Sequence, residues 1–261
     1  MQFSNILGSM RREGDLWAAS VSDTWLQGRS VFGGLQGALA LRAMRPVVPE
    51  GLALRVLQMT FVAPVPAGDV TIASRLLRKG KSTAHAEARI LQGSDTAAVA
   101  LAVFGTSRPS RVQVEPARPG AALATPFDLP FVPRVSPSFI QNFGVRWISG
   151  ALPFTASKTP DAAMEISMPG EDVATAEHVL AIADVPPPIA LSYLDSPAPG
   201  SSLTWTLEML TDSPEALSPH GFRLDMSRVA AGSGYTSQSV MVRGPAGEPV
   251  ALSRQSMVVF G

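Results

Sequence analysis

The sequence predicts an α+β protein made of two tandem copies of one unit, each an apolar helix followed by a run of antiparallel strands. Two observations carry this expectation. Residues 97–104 (AAVALAVF) and 250–260 (VALSRQSMVVF) are both period-2 apolar stretches ending in phenylalanine, and each closes a similar series of elements. Between the two series, 107–136 is rich in proline and poor in periodic apolar positions, so it reads as an extended linker. The expected units are therefore 1–106 and 137–261.

Taken in order, DLWAASVSDTWL (Asp15 to Leu26) alternates as a strand should, and a glycine-rich entry at Phe32 then leads into a helix reaching Val47. Within LQGALALRAMRPVV (Leu35 to Val48) the only charges are Arg42 and Arg45, so almost the whole circumference can be buried; Pro46 ends it. Strands follow near 54–65, 69–79, 82–92 and 97–105, with PAGD (66–69) and QGSD (92–95) as turns. Past the linker, PSFIQNFGVRWISG (Pro137 to Gly150) is the counterpart of 15–26 and should open the second unit as a strand. A helix near 174–194 precedes strands near 201–211, 220–230, 234–243 and 248–260, with a PAGE turn at 245–248. Short turns between strands imply an antiparallel sheet. One long helix wrapped by such a sheet resembles the hotdog layout, and two in one chain resemble a double hotdog.

Composition narrows the chemistry. Lys plus Arg number 21 and Asp plus Glu 21, so no global charge recruits nucleic acid or an anionic membrane. There is no cysteine, which removes disulfides, thiolate nucleophiles and Cys-based zinc sites, and the three histidines are scattered, so no metal site is expected. The start, MQFSNILGSMRREGD, lacks a basic-then-apolar leader, and no stretch approaches the roughly 18 apolar residues of a membrane span. A cytoplasmic protein with a small, partly apolar ligand is the expectation.

Asp184 stands out in EHVLAIADVPPPIALSYL (Glu177 to Leu194), because a carboxylate in an apolar helix loses hydration and needs a partner or a raised pKa. Pro186, Pro187 and Pro188 cannot continue the helix, so it should kink or restart here. Two roles fit: cap of the restarted segment, or a catalytic carboxylate. Aligning Phe104 with Phe260 sets Gln255 opposite Val99, so this polar group belongs to the second copy alone. Gln255 is either a buried amide that fixes a water or an exposed polar residue; periodicity does not decide which strand face meets the helix. Ser202, Thr204 and Thr206 share one face of SSLTWTLEML, opposite Leu203 and Trp205. Gly33, Gly34 and Gly37 leave room either for a ligand at the helix start or for close helix-to-sheet contact, the better reading of Gly37. The basic run RLLRKGKS (75–82) reads as a solvated hairpin, and the methionines as core.

Together these residues match a pattern. GRSVFGGLQGALALRAM (28–44) resembles the glycine-rich helix entry of the acyl-CoA thioesterase II (TesB-like) family, and LRVLQMTFVAPVPAGDV (54–70) its following strand and turn. Asp184 with its prolines, the SLT strand (202–204) and VALSRQ (250–255) resemble that family's C-terminal repeat. The resemblance covers roughly 25–105 and 174–261. It implies hydrolysis of a fatty or related acyl-CoA without a cofactor, by a water held between Asp184, Ser202 and Gln255. Gly33 and Gly34 would face the thioester, with Thr204 the rival hydroxyl. Some members carry a polar residue just after the aspartate, where this chain has Val185 and Pro186. The shared fold also implies a homo-oligomer. Two other classes remain open: an acyl-CoA-binding module without turnover, and an enoyl-CoA hydratase or dehydratase, which commonly needs a histidine that does not follow Asp184 here.

Overall fold

The computed structural model describes residues 2–112, 114, 116 and 125–260. A short helix α1 (Phe3–Gly8) comes first, followed by β1 (Arg11–Glu13), β2 (Leu16–Val21) and a small hairpin of β3 (Leu26–Gln27) and β4 (Ser30–Val31). Helix α2 (Gly33–Met44) leads into β5 (Ala53–Phe61), β6 (Gly68–Lys79), β7 (Thr83–Gln92) and β8 (Asp95–Gly105). The second half contains β9 (Phe127–Asp128), β10 (Gly144–Ser149), β11 (Asp161–Ser167), α3 (Ala176–Ala183), β12 (Gly200–Met209), β13 (Phe222–Gly232), β14 (Tyr235–Arg243) and β15 (Pro249–Val259).

All but the small hairpin join one antiparallel sheet in the order β1-β2-β6-β7-β8-β5-β12-β15-β14-β13-β11-β10-β9. The order is a palindrome of roles. From the central pair β5–β12, each half proceeds through its last strand, then the one before, back to its own early strands. The seam is paired from Thr204 opposite Thr60 to Glu208 opposite Val56, with Trp205 opposite Met59 and Leu207 opposite Leu57. Both helices pack on one side, over a core that includes Leu57, Met59, Phe104, Trp205 and Leu207. Every residue of α2 except Arg42 is buried, as its nearly uncharged sequence requires. Its approach to the seam depends on Gly37, where a β-carbon would stand 2.9 Å from Trp205 Cζ3.

The four strands expected after each helix form within a few residues of their expected places, although β5 stops at Phe61 rather than 65. Other expectations need correction. The second helix is not one long element: α3 ends at Ala183, and a 3-10 turn at Ile189–Tyr193 follows the prolines, which have no amide hydrogen with which to continue it. The partner of β2 in the repeat is β11, since each pairs with the strand two steps after its helix (β2 with β6, β11 with β13). The expected counterpart, 137–150, instead begins as a 3-10 turn at Ser138–Asn142 and then forms β10, further out. Of the linker expected at 107–136, residues 113, 115 and 117–124 lie outside the described residues; its described part contains β9, which pairs with β10.

Val99 is also not the partner of Gln255 in the repeat. Along β8 the side chains buried against the helices are Ala98, Ala100, Ala102 and Phe104, whereas Val99 is on the alternate face. The two phenylalanines are a poor anchor because Phe104 is fully buried while Phe260 lies beyond the end of β15 and is 59% exposed.

Candidate active site

Helices α2 and α3 lie side by side with opposite ends together, because Gly34 at the start of α2 approaches Ala181 near the end of α3. A helix start leaves backbone N–H groups without partners, and α2 has no side-chain cap at Phe32. Asp184 supplies the missing acceptor. It sits at the C-cap of α3, which excludes the role of N-cap to the next segment; that position belongs to Pro188. Its carboxylate accepts the Gly34 backbone N–H and, through Oδ1, the Nε2 of Gln255. One carboxyl thus ties α3 to the start of α2 and to β15.

Two forces act on this carboxyl. Burial, the larger, disfavours the charge and pushes the pKa up to about 7 from 3.8, while the donors Gly34 and Gln255 pull the other way. Asp184 is therefore poised to exchange a proton near neutrality, as a general base requires. Gly33 accounts for the close approach: a β-carbon there would lie 2.7 Å from Asp184 Oδ2 and 3.0 Å from Phe61 Cζ. At Gly34 it would lie 2.9 Å from the Ala181 backbone. Both glycines make room at the site, and Gly33 borders an open cavity of about 250 Å³ between the halves.

Gln255 is 5% exposed, so the buried reading is the observed one. In the sheet it lies between Trp205 on β12 and Gln238 on β14. Ser202 reaches the same face by an irregular route. Strand alternation alone groups it with Thr204, but β12 carries a bulge: Ser202 pairs with Met257, and Thr204 with Ser256. The extra residue, Leu203, turns Ser202 onto the face of Gln255 and Met257 and leaves Thr204 exposed on the other. Ser202 lines the 250 Å³ cavity with Gly33. Among the described residues, no hydrogen bond links it to Asp184 or Gln255.

One polar residue had not been singled out. Gln238 is 2% exposed; its Oε1 accepts the Ile189 N–H at 3.0 Å and its Nε2 reaches the Pro187 carbonyl at 3.5 Å. It fastens the proline segment just after Asp184 to the strand beside Gln255. The signal was a glutamine in register with the buried Val240 and Val242 of the same strand.

His178, at the opposite end of α3 from Asp184, is engaged with Thr175 and Glu171. Among the described residues no group of three or more His, Asp or Glu side chains is placed to hold a metal ion, and no helix is long and apolar enough to cross a membrane.

Two family models match this chain in tandem: the acyl-CoA thioesterase N-terminal domain over 21–105 and the acyl-CoA thioesterase C-terminal domain over 109–259. This chain belongs to the acyl-CoA thioesterase family. It is a thioester hydrolase, and the seam between its halves is the seam between the family's two domains. Solved structures share its fold at low identity. A protein of unknown function with a hot dog fold from Alicyclobacillus acidocaldarius is 21% identical, with a TM-score of 0.87 over 99% of this chain and 98% of that one. A thioesterase II of Thermobifida fusca, so described provisionally, is 18% identical, with a TM-score of 0.80 over 99% and 97%. The tesB protein of Mycobacterium avium subspecies paratuberculosis is 17% identical, with a TM-score of 0.78 over 99% and 98%. No curated protein matches the thioesterase's sequence.

Proposed function

We propose that this thioesterase hydrolyses a fatty or related acyl-CoA by direct attack of a water activated at Asp184. The observation that carries the reading is the convergence of the Gly34 amide and the Gln255 side chain on one buried carboxylate. Asp184 takes a proton from the water as its oxygen bonds to the thioester carbonyl carbon. The C–S bond of the tetrahedral intermediate then breaks, and the proton held by Asp184 goes to the departing sulfur, giving free acid and coenzyme A. Gln255 and Ser202 orient the water from the sheet. The Gly34 amide is already committed to Asp184, so the Gly33 amide, without an intrahelical partner at the start of α2, is left for the developing oxyanion.

Hydration of a double bond is disfavoured as the rival reading, because His178 is bound into a network at the far end of its helix. The deciding experiment measures release of free coenzyme A from a panel of short to long acyl-CoAs by the parent and by Asp184→Asn. Turnover by the parent that is lost in a folded, substrate-binding variant supports the mechanism. An inactive parent, or a variant as active as the parent, overturns it, and the first result favours a binding module.

A further inference from the structure

The palindromic sheet gives the site at Asp184 a structural counterpart. The 250 Å³ cavity is built from the start of α2, the chain leaving β5 and the start of β12. Exchanging the halves replaces these with the start of α3, the chain leaving β12 and the start of β5. Those segments do enclose a cavity, of about 530 Å³, at the other end of the helix pair.

The hydrolytic groups are not repeated there. The inward positions of β8 are Ala98, Ala100, Ala102 and Phe104, none of them polar, where β15 has Gln255, and α2 runs into Met44 and Arg45 where α3 meets Asp184. A different set of polar groups lines the space. Glu177, in the first turn of α3, is 7% exposed, and among the described residues neither a hydrogen bond nor an ion pair reaches its carboxylate. The side chain is packed on most of its surface, but its carboxylate oxygens are not themselves buried, so they open to the cavity with no protein donor and are suited to a cationic donor brought from outside. Arg42, the single exposed residue of α2, lines the same cavity. The other charges near it are partly engaged: Arg45 donates to the Leu52 carbonyl at 3.0 Å and lies over the Phe104 ring, and Asp212 is paired with Arg55. Leu52, Leu54 and Met209 supply apolar wall.

We propose that this cavity is a second, non-hydrolytic ligand site that takes a small zwitterionic organic molecule, its ammonium on Glu177, its anionic group on Arg42 and its apolar body on Leu52, Leu54 and Met209. Coenzyme A is a poor match, since its several phosphate charges would meet Glu177, Asp212 and Glu215 at the same cavity.

The test is calorimetric titration of the full chain with 6-aminohexanoate and with leucine, two zwitterions of different charge separation. Hexanoate, hexylamine and coenzyme A serve as controls. The expected result is saturable binding of at least one zwitterion, weakened by about tenfold or more in Glu177→Gln and in Arg42→Ala. Acyl-CoA hydrolysis is expected to be unchanged in both variants, so failure here is distinct from failure of the Asp184 mechanism. Arg42 is on the surface, and its variant keeps the test informative if Glu177→Gln folds poorly. Absence of binding by both zwitterions at millimolar concentration overturns the proposal, as does binding indifferent to both substitutions or equal binding of hexylamine.

Discussion

Replacing Asp184 with asparagine should move stability and activity in opposite directions at alkaline pH. In the unfolded chain this carboxyl ionises near 3.8, but in the folded protein burial holds the proton until about 7. Between those values the native state binds more protons than the unfolded state, so stability falls as pH rises and levels off above about 7. At about 1.4 kcal/mol per unit, the penalty grows by roughly 3 kcal/mol between pH 5 and pH 8. Asparagine carries no charge at either pH and escapes that growth. It keeps an oxygen for Gln255 but is a poorer acceptor for the Gly34 amide, a loss of about 1 kcal/mol that is the same at both pH values and cancels in the comparison. Urea unfolding of parent and variant at the two pH values should show the variant gaining roughly 3 kcal/mol relative to the parent on going from pH 5 to pH 8. Over the same range parent kcat should rise with an apparent pKa near 7, while the variant's kcat at pH 8 falls about 10²–10⁴-fold. A stability difference that stays flat with pH would refute the desolvated carboxyl. A variant within about tenfold of parent kcat would refute the base.

The bulge in β12 makes a paired prediction: Ser202→Ala should lower kcat by about tenfold, and Thr204→Val should leave it unchanged, in the same coenzyme A release assay; the reverse result would mean that Thr204 supplies the hydroxyl. Gln238→Leu should lower kcat by about tenfold with little change in KM and should displace the pH midpoint of kcat, because it releases the segment that follows Asp184; an unaltered pH profile would reduce Gln238 to a structural contact.

Much of this architecture was legible in the sequence because its causes are local. Strands such as β8 and β14 alternate over most of their length, and α2 carries so few charges that only a buried helix accommodates it. The prolines at 186–188 correctly marked a break. What they could not reveal was which side of the break Asp184 would serve, since a cap at the end of one segment and a cap at the start of the next are one residue type in one place. The answer came from α2, about 150 positions away in the chain, whose uncapped start needed an acceptor. The misplacement of Ser202 has a similar origin. Strict alternation assigns it to the face of Thr204, and only the pairing of β12 with β15 exposes the extra residue between them.

The same register explains why chemistry is confined to one half of a nearly symmetric sheet. Three glutamine or tryptophan side chains, Gln238, Gln255 and Trp205, stand side by side across β14, β15 and β12, and each has a polar partner: the proline segment, Asp184 and Ser253 in turn. Such a row is stable in a core only when every member is satisfied. On β8 the inward residues are three alanines and Phe104, which place no such demand, and the alanines let the long α2 pack closely. A carboxylate set at the end of α2 would therefore find no sheet donor to hold it, and adding one residue alone would leave an unpartnered buried charge. Restoring hydrolysis to the first half would need the acid and the amide together, so the asymmetry between the halves is self-maintaining once either group is lost.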